Sequence, residues 1–292
     1  MTKPIKKSIK SAIALSAVAV LGLAGCAESS SEPLVIGSQA YYSNEIVAEV
    51  YAQVLEDAGY SVDRQFALGQ RDVYVPALLA GEIDIFPEYT GNLLQYFDPE
   101  ATATAEEDVY QALQGALPAG LTALALSGAS DQDSYNVTSD FAMKNNLTSI
   151  GDLAGVTGIR LGGAPELAER PYGPTGLLSS YGVTVEFEAT GDTTVESLVA
   201  GLIDMANVYS ADPRIQQLGL VTLTDPQGLF LSSNLVPIAS DAVNQEARDL
   251  ISAVSSAMTA ADLVALNVRS VDEQLSSAVI ARDWLLSKGL ID

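Results

Sequence analysis

The 292-residue chain has 14 basic against 37 acidic residues and no histidine, giving a net charge of −23, with 48% hydrophobic and 17% charged residues. The apolar share is enough for the core of one large domain or two modest lobes. The acidic balance excludes nucleic acid, which needs basic patches. A single cysteine and no histidine exclude Ser-His-Asp and Cys-His nucleophiles and the usual zinc and haem sites, so no cofactor is expected.

The first elements in chain order are those of an export signal. Lys3, Lys6, Lys7 and Lys10 precede an apolar run, Ala12 to Leu23, too short to span a bilayer. The following L-A-G-C, Leu23 to Cys26, resembles a bacterial lipobox. That resemblance implies cleavage before Cys26 and a lipid on its thiol. Residues 1–25 are then a lipoprotein signal peptide, and 26–33 an anchored polar tether. Loss of the four lysines leaves 10 basic against 37 acidic residues, a charge of −27. Such a surface favours cationic solutes on approach, and adaptation to a salty medium accounts for it more readily than steering does. The expected location is the outer face of the cytoplasmic membrane, lipid-anchored.

From Pro33 onward strand and helix patterns alternate. Leu34-Val35-Ile36 reads as a short strand, followed by Gly37-Ser38. Ser43 is placed to cap a helix whose apolar positions Ile46, Val47, Val50, Tyr51, Val54 and Leu55 keep a 3.6-residue period. Gly59 ends it. Tyr60 to Phe66 is a second strand, Asp72 to Leu79 a helix, and Ile83 to Phe86 a third strand. The spacing of Asp131 and Asp133 suits the start of a calcium loop, but Asn136 stands where that turn needs glycine and no glutamate closes it. This pair reads as a polar loop.

A second series begins at Ile159-Arg160-Leu161. A helix around Leu177 to Tyr181 stops at Gly182, Val183 to Phe187 is a strand, Val195 to Val199 a helix, and Ile203 to Ala206 a strand. In the tail, Thr259 or Asp262 starts one helix, and Val271 to Leu286, ending at Gly289, forms another. Strands separated by helices predict right-handed parallel crossovers. The expected fold is α/β with two lobes, each a mainly parallel sheet flanked by helices. Lobe 1 takes residues 34–128 and 235–292, and lobe 2 takes 129–234, with crossovers near Leu124 to Asn136 and Leu229 to Ile238.

One device is written twice. L-L-A-G-E-I-D-I-F-P-E-Y, Leu78 to Tyr89, is echoed by L-V-A-G-L-I-D-M-A-N-V-Y, Leu198 to Tyr209. In open parallel sheets ligands bind beyond the carboxyl ends of the strands. Tyr89 and Tyr209, one from each lobe, are therefore expected to face a shared cleft, where aromatic π-faces attract cations.

These stretches resemble the osmoprotectant-binding proteins of ABC importers, which take up glycine betaine, choline, carnitine and related compounds. The resemblance runs from Leu34 to Asp292. It rests on V-I-G-S, Y-A-Q-V-L-E-D-A-G-Y, A-L-L-A-G-E-I-D-I-F-P-E-Y-T-G, S-I-G-D-L-A-G, A-D-P-R-I and R-D-W-L-L-S-K-G-L-I. It implies a periplasmic-binding-protein-like fold that closes around its ligand, with a trimethylammonium group held by tyrosines. Tyr89, Tyr135 and Tyr209 match cage positions of that family.

The chain departs from the family pattern in ways that bear on the ligand. Gln39 stands where the family often has a lysine, Asn92 where threonine or aspartate is common, and Asp133 where asparagine is usual. Ser233 stands at the position of the fourth ring, a gap open to Tyr41, Tyr42, Tyr172 or Phe230. Arg170 matches a region with a carboxylate-binding arginine, and alternatively pairs with Glu166 or Glu169. The implied partners are a small cationic or zwitterionic amine and a membrane permease, with this chain a monomer. No G-x-x-x-x-G-K-[ST] is present, so ATP hydrolysis belongs to another subunit. Rival readings are the same fold holding ergothioneine or an amino acid and, more distantly, a carboxylate-dependent enzyme; no acidic pair has a recognisable catalytic pattern.

Overall fold

A computed structural model describes Met1 and residues 32–292. The basic segment, the apolar run, Cys26 and the start of the tether lie outside the described residues. In chain order the first lobe opens with β1 (Leu34–Gly37), α1 (Tyr42–Asp57), β2 (Val62–Gln65), α2 (Arg71–Leu79), β3 (Ile85–Tyr89), α3 (Thr90–Phe97), α4 (Glu106–Ala116) and β4 (Leu121–Ala123). The second is built from β5 (Asp133–Val137), α5 (Ser139–Asn145), β6 (Ile159–Gly163), α6 (Pro174–Tyr181), β7 (Val185–Ala189), α7 (Thr194–Val199), β8 (Met205–Tyr209), α8 (Arg214–Gln217) and β9 (Val221–Thr222). The chain then returns through β10 (Leu235–Ser240) and finishes with α9 (Gln245–Ala257), α10 (Ala260–Val271) and α11 (Ser277–Lys288).

The strands form two five-stranded sheets, ordered β2-β1-β3-β10-β4 and β7-β6-β8-β5-β9. The two orders describe one topology, with β3 and β8 in equivalent places. Parallel pairing holds β1 to β2 and β3, and β6 to β7 and β8. The strands made where the chain changes lobe, β10 and β5, are antiparallel to both neighbours. In each sheet four strands thus run the same way and only the crossover strand, β10 or β5, is reversed, so the sheets are mainly parallel. The crossover strands pair antiparallel with segments far away in sequence, which is why local sequence periodicity misses them. The chain leaves the first sheet after Ala123 and enters the second at Asp133; it leaves the second after Thr222 and re-enters the first at Leu235.

Both faces of each sheet are covered. In the first lobe, Val47, Val50, Tyr51 and Val54 of α1 pack with Ile251 of α9, Leu263 of α10 and Trp284 and Leu285 of α11. Tyr74, Phe86, Leu93, Leu113 and Val236 fill the opposite face. In the second lobe Tyr135, Leu161, Leu177 and Met205 lie on one side, and Val195, Leu198 and Ile203 on the other. No helix among the described residues is long and apolar enough to cross a membrane.

Three local expectations change. Helix α1 starts at Tyr42 behind Tyr41, so Ser43 lies inside its first turn and makes no cap bond. Strand β3 continues through Pro87-Glu88-Tyr89, because Pro87 faces Pro237 across the antiparallel pair where neither can donate a hydrogen bond. In the tail, Thr259 caps α10 through a capping box with Asp262, and α11 is a separate helix closed by Gly289 at φ 64°.

Candidate ligand-binding cleft

The carboxyl ends of the parallel strands and the amino ends of β5 and β10 share one edge of each sheet. That edge carries Gln39 after β1, Tyr89 closing β3, Asn92 in the first turn of α3, Tyr209 closing β8, Asp131 and Asp133 before and at the start of β5, and Ser233 before β10. In the second sheet the register sets Asp133 directly opposite Tyr209. Cross-strand partners share a face, so the carboxyl and the ring are neighbours. The two acidic residues that read as a polar loop are instead part of the cleft wall, 3% and 4% exposed.

The lobes meet across this edge. The ring of Tyr41 stacks on Tyr209 at 5.7 Å with an interplanar angle of 16°. Asn92 donates from Nδ2 to Asp133 Oδ2 at 2.9 Å and contacts the Tyr172 hydroxyl at 3.1 Å. Ser233 donates to Asn92 Oδ1 at 2.6 Å. Ser233 therefore carries no ring function: it positions the asparagine that ties the lobes together. A small cavity beside this knot is lined by Gly91, Asn92, Gln95, Asp133, Tyr172 and Phe230.

Gly91 is required here for space rather than for a turn. A Cβ at this position would meet the Ser232 carbonyl oxygen at 2.7 Å and Leu231 Cβ at 2.9 Å. The chain before β10 passes against the start of α3, where Thr90 Oγ1 also donates to the Ser232 carbonyl.

The predicted aromatic positions take different places. Tyr89 is 2% exposed, and its hydroxyl is enclosed without a hydrogen bond of acceptable geometry, as are the Ser43 hydroxyl, Gln39 Nε2 and Asn207 Nδ2. Burial pushes the Tyr89 phenol upward, reinforced by Asp131 and opposed by the nearby Tyr41 and Ser43 hydroxyls. Tyr209 is 38% exposed at the end of β8. Tyr135 is fully buried in the second lobe. Its hydroxyl donates to the Tyr172 carbonyl at 2.5 Å, and its ring packs on Phe230, which in turn packs on Tyr172. Phe230 and Tyr172, not Tyr135, line the cavity. Arg170 is half-buried beside Tyr172, and its side chain makes no hydrogen bond or ion pair with Glu166 or Glu169.

Two buried acids face the rings. Asp131 takes one hydrogen bond on Oδ1 from the Ala211 amide at 2.8 Å. Burial first, then Asp133 and Asp212, push its carboxyl up to about 7, against the pull of that amide. Its charge is felt by Tyr41, Tyr42, Tyr89 and Tyr209. Asp133 is also raised by burial, opposed by Asn92, Tyr172 and Asn207 and by the charge of Arg71.

Arg71 is absent from the motif-based expectations, because a lone arginine at a helix start has no pattern of its own. It is 5% exposed and fully buried Glu88 takes its Nε at 3.1 Å and its Nη2 at 2.7 Å. Glu88 also accepts from the Tyr74 hydroxyl and from the Tyr89 amide at 2.9 Å. One carboxylate thereby anchors both α2 and the backbone of Tyr89. A basic residue 17 positions before the acid of P-E-Y was the available signal, visible only once β3 was known to include Glu88.

Rings, two acids and enclosed donors converge where the two lobes meet. The chain is 28% identical over 280 residues to the glycine betaine-binding protein YehZ of Escherichia coli, covering 89% of this chain and 92% of that protein. The apo structure of YehZ superposes with a TM-score of 0.66 at 27% identity, over 89% of this chain and 100% of the other. A glycine betaine/carnitine/choline ABC transporter structure has the same fold, with a TM-score of 0.73 at 22% identity over 89% of this chain and 100% of the other. The ergothioneine transport permease/ergothioneine binding protein EgtU of Helicobacter pylori is 23% identical over 89% of this chain and 48% of its own length. The family described as the substrate binding domain of ABC-type glycine betaine transport systems matches residues 32–287, and the chain belongs to it.

Proposed function

We propose that the protein captures a small quaternary-ammonium or betaine-type solute between its lobes and delivers it to an ABC permease. The observation that carries this reading is the Tyr41–Tyr209 stack, one ring from each lobe, within the electrostatic reach of Tyr89 and Asp131. A desolvated cation among such rings gains about 2 kcal/mol or more from their quadrupoles, and Asp131 supplies a countercharge. Of the candidate site residues, Tyr89, Tyr209 and Tyr41 hold the cation. Gln39 and Asn207 offer enclosed donors, and Asn92 with Asp133 and Ser233 joins the lobes. Tyr135 supports Phe230 from behind. Ligand binding shifts an open–closed equilibrium, and the closed form is what the permease accepts. No bond is made or broken. Cys26, lipidated, holds the monomer at the outer face of the membrane; Cys26→Ser is expected to release it to the soluble fraction.

The test is calorimetric titration of the mature domain with choline, glycine betaine, carnitine, ergothioneine and amino acids. Saturable binding of a quaternary amine is expected, and Tyr89→Ala and Tyr209→Ala each abolish it while circular dichroism stays unchanged. Silence toward every quaternary amine overturns the reading. A second reading, ergothioneine or another amine, draws on Ser233 in place of a fourth ring and on the enclosed Gln39 Nε2, which suits a polar heterocycle; the same titration separates the two.

A further inference from the structure

We propose that Asn267 of α10 is a positioning residue of the cleft: it ties the first lobe to the Tyr209 turn of the second and so sets how readily the lobes close on a ligand. The inference rests on the reading of the cleft as an amine site and assigns control of that site to a side chain outside it. The turn after β8 carries Tyr209, Ser210, Ala211 and Asp212. Its own scaffold is local. The Ser210 amide donates to the Gln132 carbonyl at 2.9 Å, the Asp212 amide to the Tyr209 carbonyl at 3.0 Å, and the Ala211 amide to Asp131 Oδ1 at 2.8 Å. The bond that leaves the lobe runs from Asn267 Nδ2 to the Ala211 carbonyl, at 3.0 Å.

A carbonyl only accepts, so the orientation of the Asn267 amide is fixed. The residue is 1% exposed, its side chain makes no other hydrogen bond, and its Oδ1 is enclosed without a partner. A buried amide with its acceptor stranded contributes little to folding, which leaves the tie to Ala211 as what the side chain does. Ala211 is buried as well. Among the described residues it is the only one between Asp133 and Thr222 in the apolar cluster of the first lobe.

Helix α10 gives the tie a firm base. Thr259, its N-cap, pairs with Gly128 of the crossover, Ser127 Oγ donates to the Met258 carbonyl at 2.8 Å, and Leu263 and Leu266 sit in the first-lobe cluster. A second, exposed link joins the other end of the helix to α8, from Gln217 Nε2 to Asp272 Oδ2 at 2.7 Å. Removing the Asn267 donor leaves every bond within the Tyr209 turn in place. The second lobe keeps its fold and loses its hold on α10. What changes is the fraction of molecules that is closed, and apparent affinity falls with that fraction for any ligand. Loss of a group that touches the ligand acts differently, by an amount that depends on what each ligand presents to it.

The experiment titrates glycine betaine and choline into the unaltered mature protein, Asn267→Leu and Gln217→Ala, with small-angle scattering and urea unfolding of each. Leucine keeps the volume and removes the donor. Asn267→Leu is expected to weaken both ligands by the same factor, on the order of tenfold, because an enclosed carbonyl loses its partner in the closed form. Gln217→Ala, on the surface, stays within about threefold. Without ligand, Asn267→Leu is expected to have a larger radius of gyration than the unaltered protein, and saturating glycine betaine brings the two together. Unchanged affinity with a lower urea midpoint confines Asn267 to the fold and overturns the assignment. So do losses that differ between the ligands by more than about threefold, or a loss in Gln217→Ala as large as in Asn267→Leu. If Asn267→Leu does not fold, Asn267→Ser, too short to reach the Ala211 carbonyl, gives the same readings. An unaltered protein that binds neither ligand is a failure of the amine reading alone. The unliganded radii then decide: larger in the Asn267 variant supports the tie, and equal radii overturn it.

Discussion

Tyr89 and Tyr209 close equivalent strands of two sheets with the same order, yet Tyr89 is 2% exposed and Tyr209 38%. The residues before them account for the difference. Glu88 is fully buried, grips Arg71 and Tyr74, and holds the Tyr89 amide. Its counterpart Val208 packs in an apolar cluster with Val195 and Ile203 and offers Tyr209 nothing polar. Tyr209 takes its position from Asp133 across the strand pair and from Tyr41 of the other lobe. A duplicated topology thus yields one ring set by its own lobe and one ring set by the meeting of two lobes. Under the proposed open–closed equilibrium, one wall is preorganised and the other is completed on closure.

The sharpest way to break this contrast is to remove the clamp. Glu88→Ala leaves a buried guanidinium without its partner, and breaking a buried pair from one side costs about 3–5 kcal/mol. Urea unfolding is expected to show a loss of that size. Tyr209→Ala, by contrast, removes a partly exposed ring and is expected to lower stability by no more than about 1 kcal/mol while abolishing ligand binding. Equal losses for the two variants would mean that the two walls are built alike.

The next effect in size is a pH dependence confined to the crossover. Asp131 has a folded-state pKa of about 7 against an ordinary 3.8. Between those values the native state holds a proton that the unfolded chain has released. Native stability from this group therefore falls as pH rises from about 4 to about 7, the reverse of a salt-bridged carboxylate, and is level above that. Asp131→Asn is expected to melt progressively higher relative to the unaltered protein as pH goes from 5 to 8. A difference that stays flat across this range would show that Asp131 is not buried beside the rings. The same ionisation makes affinity for a cationic headgroup rise with pH up to about 7.

How much of this was legible beforehand depends on whether a feature repeats locally. Helix α1, the glycine stops and the A-G-x-I-D approach to each tyrosine were visible because period and turn chemistry are local. The expected division into two α/β lobes followed from them. Strands β5 and β10 were not read as strands, since each is a short buried run paired to segments far away in sequence. Asp131 looked like loop polarity for the same reason: its meaning comes from Ala211, 80 residues on. Tyr135 matched a motif, but the motif does not specify that its hydroxyl bonds to the Tyr172 backbone and that Phe230 stands in front. Arg71 needed the register of β3 before its partner could be named.

The smallest effect isolates the hydroxyls from the rings. The Tyr89 hydroxyl is enclosed without a partner, whereas the Tyr209 side chain reaches solvent. A buried unsatisfied donor costs about 1–3 kcal/mol, so Tyr89→Phe is expected to stabilise the unliganded protein by about 1 kcal/mol, while Tyr209→Phe stays within about 0.5 kcal/mol of neutral. Both variants keep their π-faces and are expected to hold a quaternary amine within about tenfold of the unaltered affinity. A stability gain at Tyr89 with affinity retained assigns the ring to ligand attraction and leaves its hydroxyl as an uncompensated cost of burial. Loss of affinity in Tyr89→Phe but not in Tyr209→Phe would give that hydroxyl a partner in the bound state. The enclosed donor on the preset wall would then be held in reserve for the ligand, and the asymmetry between the two tyrosines would extend from position to chemistry.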